Sequence, residues 1–127
     1  MLFRSILTQN SDNRLKRDFT HITRSLSRLY EIKGYHYFWK DASRSQDLQT
    51  GVIAQEVQKI FPELVNTDKE GMLSVDYIGL IPHLIEAVKE LKVKNQELEN
   101  SLEKRLIILE ANSNVPKENN KLKIIDK

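Results

Sequence analysis

The sequence predicts an α+β fold, in which a small core of helices and antiparallel ribbons is followed by a long C-terminal helix that forms a parallel coiled coil. Three observations favour this fold. A chain of 127 residues supports one modest domain, and its 39% hydrophobic content is low for a compact globule. Two short apolar runs flank a turn that contains glycine, which is typical of a β-hairpin. Near the C-terminus, apolar residues alternate in steps of four and three, which predicts a coiled coil whose partner chains complete the core.

The first predicted helix begins at Leu15 and ends near Gly34. Its apolar positions are spaced by 4, 3, 4 and 3 residues, which places them on one helix face. They are Leu15, Phe19, Ile22, Leu26 and Leu29. The residues immediately before this helix, Ser11 to Asn13, are good N-cap residues.

A strand, a loop and a short helix are predicted next. The aromatic run Tyr35–Trp39 has strand character, and we expect these rings to pack in a core because no basic residues are interleaved as in a base-stacking surface. The polar run Lys40–Thr50 predicts a loop. Gly51–Phe61 predicts one or two strand residues and then a helix that ends before Pro62.

A hairpin is predicted from Leu64–Asn66 and Met72–Val75, with Gly71 available for the positive-φ position of its turn. The last helix follows this ribbon. Pro82 fits best in the first turn of that helix, because a proline deeper inside would kink it.

The last helix is predicted from about Ile81 to Glu110, a length of about 45 Å at 1.5 Å per residue. Its coiled-coil seam consists of Leu84, Val88, Leu91, Asn95, Leu98 and Leu102. Asn95 lies at an a position, where a polar residue fixes the register and the number of strands at some cost in stability. Asn95 alone does not show whether that number is two or three. Lys94 and Glu99 occupy g and e positions, where they can form an ion pair between parallel chains. The alternative is an intramolecular antiparallel hairpin with the first helix.

Composition excludes several classes of function. The chain has no cysteine, which removes disulfides and thiolate chemistry. His21, His36 and His83 do not have metal-ligand spacing, so we expect neither a metal nor another cofactor. No apolar run approaches the ~18 residues of a membrane span. The lack of such a run means that a membrane is not an expected partner. The net charge of +2 resides in residues 111–127, which predicts a disordered basic tail, so nucleic acid is not an expected partner either.

The start of the predicted first helix breaks a local rule. Arg14, Lys16 and Arg17 place cations in the first turn, where the helix dipole favours negative charge. A desolvated lysine there favours its neutral amine, which a general base requires. Ser11 supplies a nucleophile, and N–H groups of the helix start could hold an oxyanion. The residues alone favour the plainer interpretation, a capping serine and a solvated lysine.

Five short motifs follow one another along the chain. They are Ser11–Lys16 (SDNRLK), Gly51–Val57 (GVIAQEV), Phe61–Val65 (FPELV), Leu73–Tyr77 (LSVDY) and Leu84–Leu91 (LIEAVKEL). With these motifs, roughly residues 11–105 resemble the C-terminal intramolecular chaperone auto-processing domain of phage endosialidases, tailspikes and neck appendages. The same domain occurs in transcription factors of the myelin regulatory factor type.

The resemblance implies a domain that trimerises, assists the folding and assembly of a β-rich fibre on its N-terminal side, and then cuts itself off. It implies Ser11 as the nucleophile, Lys16 as the base and Asn10–Ser11 as the scissile bond of a Ser–Lys serine peptidase. The implied partners are further copies of the chain, as a homotrimer, and a fibre or tailspike client. If the chain comes from a phage, assembly is expected in the cytoplasm of the host.

The resemblance also implies a division of the chain. Residues 1–10 are expected to be a remnant of the upstream client or a linker, residues 11–110 the chaperone and auto-processing domain, and residues 111–127 the tail. Two other functions are compatible with the residues. One is a non-catalytic trimerisation or chaperone module, in which Ser11 is only a cap. The other is a coiled-coil adaptor that binds unrelated partners through the seam.

Overall fold

The computed structural model describes residues 8–113. In chain order its elements are a 3₁₀ turn at Asn13–Leu15, helix α1 at Ser25–Tyr30, strand β1 at Tyr35–Tyr37, strand β2 at Gln49–Gly51, helix α2 at Ala54–Ile60, a second 3₁₀ turn at Pro62–Leu64, strand β3 at Val65–Thr67, strand β4 at Leu73–Val75 and helix α3 at Leu80–Asn112. Helices combined with two antiparallel ribbons confirm the predicted mixed class. Residues 1–7 of the predicted upstream remnant and residues 114–127 of the predicted tail lie outside the described residues.

The first helix is much shorter than predicted. Helix α1 has 6 residues, and residues 16–24, which we call the arm, form neither helix nor strand. Asp18 and Arg24 have φ angles of 55° and 56°, in the left-handed region that a right-handed helix cannot contain. Leu15 and Phe19 are therefore 70% and 71% exposed instead of lying on a helix face. The prediction of a helix from Leu15 was wrong, because apolar spacing carries no information about these left-handed residues.

Two antiparallel ribbons lie on either side of α2 in the chain. Strand β1 pairs with β2, and β3 pairs with β4. The β3–β4 hairpin confirms its prediction, and Gly71 in its turn has a φ of +84°. The predicted loop ends earlier than Thr50, because Gln49 and Thr50 belong to β2 and pair with the aromatic strand.

Gly51 ends β2 at a point where two tyrosine side chains approach the backbone. A Cβ atom on Gly51 would lie 2.6 Å from the Tyr77 hydroxyl oxygen and 3.2 Å from the Tyr37 ring. The Tyr77 hydroxyl oxygen accepts a hydrogen bond from the N–H of Val52 at 3.1 Å. Glycine is required here because no side chain fits, and the contact ties the first ribbon to the segment that leads into α3.

The core is small and is centred on the end of α2. Val57, Phe61 and Leu64 are buried, and the Phe61 ring is the largest side chain among them. The Arg28 guanidinium lies 4.3 Å from the centroid of the Phe61 ring, and the centroid of the His83 ring lies 4.2 Å from it. Half-buried residues complete the core: Leu29, Ile32, Val52, Ile60, Val65, Val75 and Leu80. A core of this size agrees with the low apolar content of the sequence.

Helix α3 dominates the molecule. Its 33 residues span about 50 Å at ~1.5 Å per residue, and Pro82 lies in the first turn, as predicted. Helix α1 packs against the start of α3, where His83 and Ala87 are buried. Every residue from Leu91 to Ser113 is exposed, so the helix protrudes from the core. Within residues 8–113, no helix is long and apolar enough to cross a membrane.

Candidate active site

The structure brings the two predicted catalytic side chains together. The Nζ atom of Lys16 lies 2.6 Å from the Oγ atom of Ser11, which is hydrogen-bond distance. Both residues are exposed, and they are separated by a tight turn rather than by a turn of α-helix. The Asn10–Ser11 peptide bond, the predicted cleavage site, lies directly before the nucleophile. In this contact Nζ of Lys16 donates to Oγ of Ser11, and the distance is short enough for proton transfer between a serine and a neutral lysine.

A single 3₁₀ turn at Asn13–Leu15 produces this contact. Asp12 caps the turn, because its carboxylate accepts the N–H of Arg14 at 2.9 Å. The N–H of Leu15 bonds to the carbonyl of Asp12, and the N–H of Lys16 bonds to that of Asn13, both at 3.1 Å. The backbone is extended again at Lys16, so its side chain returns towards Ser11.

The turn differs from the expected helix start in two ways. No long helix starts here, so a helix dipole does not act on Lys16. The N–H groups of Arg14, Leu15 and Lys16 are all bonded within the turn, so they do not form the expected oxyanion hole. The cap is Asp12 rather than Ser11, which leaves the Ser11 hydroxyl available to Lys16.

Asp12 and Arg14 form an ion pair within the turn. The Nη2 atom of Arg14 lies 2.8 Å from Oδ2 of Asp12, and Nε lies 3.1 and 3.2 Å from the two carboxylate oxygens. The guanidinium, followed by the N–H of Arg14, lowers the pKa of the Asp12 carboxyl below its ordinary value. Asp12 in turn raises the pKa of Arg14. Both side chains therefore stay charged at neutral pH.

The arm connects this site to α3 through contacts that sequence reasoning missed. The Nε2 atom of His21 lies 3.3 Å from a carboxylate oxygen of Glu86. Where the arm enters α1, Glu90 accepts the N–H of Ser25 at 3.0 Å and that of Leu26 at 2.7 Å. Glu90 therefore caps α1 from another helix, at a sequence separation of 65 residues, and no local sequence signal marks it.

A buried polar cluster joins α1, α3 and the second 3₁₀ turn. The Oγ atom of Ser25 lies 3.4 Å from Nδ1 of His83, whose Nε2 lies 3.8 Å from a carboxylate oxygen of Glu63. Burial lowers the pKa of His83 and the charge of Arg28 lowers it further, against an opposite effect of Glu63. Ser25 is fully buried, so it is not open to a substrate and the cluster is a packing contact.

A groove of about 590 Å³ runs between the arm, α1 and α3, but it does not include the dyad. Its walls carry charges of both signs, from Arg24, Glu86, Lys89 and Glu97 among others. Within residues 8–113, no group of three or more His, Asp or Glu side chains is placed to hold a metal ion.

The predicted seam lies on α3 outside its contact with α1. Helix α1 contacts the face that carries His83, Ala87 and Glu90. Exposed fractions along the seam include 51% at Leu84 and 46% at Leu91. Helix α1 thus packs against α3 and leaves the seam residues about half exposed.

Comparison with known proteins finds relatives in phage fibres. Residues 11–66 match the family described as chaperone of endosialidase. The long tail fiber protein Gp37 of Escherichia phage AR1 is 36% identical over 87 residues, which is 63% of this chain and 8% of that protein. Gp37 of Enterobacteria phage K3 is 34% identical over 98 residues, which is 72% of this chain and 8% of that protein. Gp37 of Salmonella phage S16 is 34% identical over 74 residues, which is 54% of this chain and 10% of that protein. The chain thus spans a tenth or less of the length of these relatives.

Proposed function

This chain belongs, through residues 11–66, to the chaperone of endosialidase family, and on that premise we propose that it is an intramolecular chaperone of a phage fibre. In this proposal the chain trimerises, assists the folding of a β-rich fibre joined to its N-terminal side, and releases itself at the Asn10–Ser11 bond. The observation that carries the catalytic part is the 2.6 Å contact between Ser11 and Lys16. The tail fibre relatives support the nature of the client.

The proposed cleavage is a single turnover in two steps. The neutral amine of Lys16 accepts the hydroxyl proton of Ser11 while Oγ attacks the carbonyl carbon of Asn10. The Asn10–Ser11 C–N bond breaks as its nitrogen takes the proton from Lys16, which leaves Asn10 as an ester on Ser11 Oγ. Water then hydrolyses this ester, so the upstream product ends in the Asn10 carboxylate and the downstream product begins with Ser11.

Assembly is proposed to control this chemistry. An exposed lysine side chain is an ammonium ion at neutral pH and cannot accept a proton. Lys16 is exposed in the single chain, so a neighbouring chain that removes it from water would favour the neutral amine. Cleavage would then follow assembly, and a client would not be released before its chaperone had assembled.

The seam on α3 supports oligomerisation. Its leucines and valine are about half exposed on a helix that extends far beyond the core. Burying the exposed half of such side chains contributes about 0.8–1.5 kcal/mol each, half of the value for a fully exposed side chain. The family membership favours three chains over two, since the seam residues themselves do not choose.

The first test is intact-mass spectrometry under denaturing conditions on the chain fused to a folded N-terminal reporter. We expect a product that begins at Ser11 in the parent and none in Ser11→Ala, with both assembled to the same native mass. Intact chains in both, with an unchanged trimer, would contradict self-cleavage and favour a non-catalytic chaperone module.

A second test separates assembly from chemistry. The double variant Leu91→Asp/Leu98→Asp is expected to be monomeric and uncut. Ile107→Asp, which also replaces an exposed apolar residue of α3 but lies at an f position outside the seam, is the matched control and should cut like the parent. Equal cleavage in the monomeric variant would disprove control by assembly, and it would leave the dyad chemistry intact.

A further inference from the structure

The turn between Ser11 and Lys16 has little to hold it closed apart from Asp12 and Arg14. The 3₁₀ turn has 3 residues, and none of them is buried. A turn of this length has too few backbone hydrogen bonds to be stable alone, because fixing its dihedral angles costs more than they return. Ser11 and Lys16 are exposed as well, so no core packing fixes their side chains.

Asp12 is the centre of the interactions that remain. Its Oδ1 atom accepts hydrogen bonds from the backbone N–H and from Nε of Arg14, while Oδ2 accepts a hydrogen bond from Nη2 of Arg14 at 2.8 Å. This two-pronged contact constrains direction as well as distance, since the guanidinium and the carboxylate are both planar. Asp12 therefore holds the turn closed through both the backbone and the side chain of Arg14.

We propose that Asp12 and Arg14 are positioning residues, whose ion pair holds the turn that keeps Ser11 in contact with Lys16. The inference rests on the proposed self-cleavage for its consequence, but the contact itself can be measured without it. Neither residue touches the scissile bond in the proposed chemistry. They act through the backbone between the nucleophile and its base.

The effect on cleavage follows from the loss of geometry. A displacement of about 1 Å between reacting groups costs on the order of 10²-fold in rate. Asp12→Ala removes both the cap and the ion pair and is expected to slow cleavage about 10- to 100-fold. Asp12→Asn keeps an acceptor for the N–H of Arg14 and should lose less. Arg14→Gln should also be slow, whereas Arg17→Gln, whose exposed ion-pair partner is Asp18 outside the turn, should cut like the parent.

A thiol in place of the hydroxyl reports the contact independently of cleavage. In Ser11→Cys, the nearby Lys16 ammonium should stabilise the thiolate, so the thiol should ionise at lower pH than in Ser11→Cys/Lys16→Met. The pH dependence of iodoacetamide alkylation, read as intact mass on uncut chains, measures this ionisation. Adding Asp12→Ala should shift the profile to higher pH, towards that of the Lys16→Met variant.

The direction of that shift decides the inference. Removal of the Asp12 negative charge alone would shift thiol ionisation to lower pH, which is opposite to the effect of losing Lys16. A profile that is unchanged or moves to lower pH in Asp12→Ala would overturn the positioning role. If the expected shift is found and the unmodified chain does not cut, the self-cleavage is wrong and Asp12 still holds the contact.

Discussion

Glu90 is expected to be the strongest single contact between α1 and α3. Its carboxylate accepts the N–H of Ser25 at 3.0 Å and that of Leu26 at 2.7 Å, and Ser25 is fully buried. Hydrogen bonds to a charged group contribute about 1.5–3 kcal/mol each, and an N–H left unpaired in a buried site costs a similar amount. The N–H of Leu26 can turn to water, because Leu26 is only half-buried. Glu90→Ala should therefore lower the free energy of unfolding by about 2–4 kcal/mol.

Urea unfolding followed by helix content, at equal protein concentration, measures this loss. Glu97→Ala is the matched control, because Glu97 lies two helical turns later on the same face of α3 and is exposed. Glu90→Gln keeps one neutral acceptor and should lose about half as much. Hydrogen exchange at Ser25 and Leu26 should accelerate in Glu90→Ala. A difference of less than about 0.5 kcal/mol between Glu90→Ala and Glu97→Ala would refute the capping argument.

Three further changes test other parts of the fold. Asn95→Leu should raise the melting temperature of the assembled chain at fixed concentration, while Asn100→Leu, at an f position outside the seam, should not. The pKa of His83 is lowered in the folded chain, so the unfolded chain binds a proton at this residue more readily. The free energy of unfolding should therefore fall as pH drops below about 6.5. His83→Gln should flatten this pH dependence, as measured by urea titrations. Gly51→Ala should lower the free energy of unfolding by about 1–3 kcal/mol in the same assay, because the added Cβ would lie 2.6 Å from the Tyr77 hydroxyl oxygen. Gly34→Ala, whose added Cβ would have nothing within 4 Å, should leave the free energy of unfolding nearly unchanged.

Periodic and turn signals predicted the elements that depend on local sequence. Helix α3 and its first-turn Pro82 were predicted because the 4-3 spacing continues over many turns and proline has one favourable place in a helix. The β3–β4 hairpin was predicted because Gly71 supplies the left-handed turn position. Helix α2 was predicted to end before Pro62, and it ends at Ile60.

Elements that depend on distant contacts were not predictable from the sequence. The 4-3 spacing from Leu15 imitates a helix, but Arg24 is left-handed and α1 starts only where Glu90 can cap it. Strand β2 carries little apolar signal and exists because β1 supplies its hydrogen bonds. The resemblance implied the Ser11–Lys16 pair, whereas the residues alone favoured a capping serine and a solvated lysine. The contact depends on a capped 3₁₀ turn, which the helix expected from Leu15 did not predict.

The length of the arm limits where a neighbouring chain can act on the dyad. His21 follows Lys16 by five positions and contacts Glu86, so the Cα atom of Lys16 lies within about 18 Å of that of His21 at a maximum of ~3.6 Å per residue. Helices packed side by side have axes about 8–10 Å apart. A neighbour on the first part of the seam, between Leu84 and Leu91, is therefore within reach of Lys16. One turn of α3 rises about 5.4 Å, so Leu102 lies roughly 24 Å beyond Glu86, and pairing there can stabilise the assembly without touching the site. In the proposed mechanism, the start of the seam is therefore where assembly would act on self-cleavage.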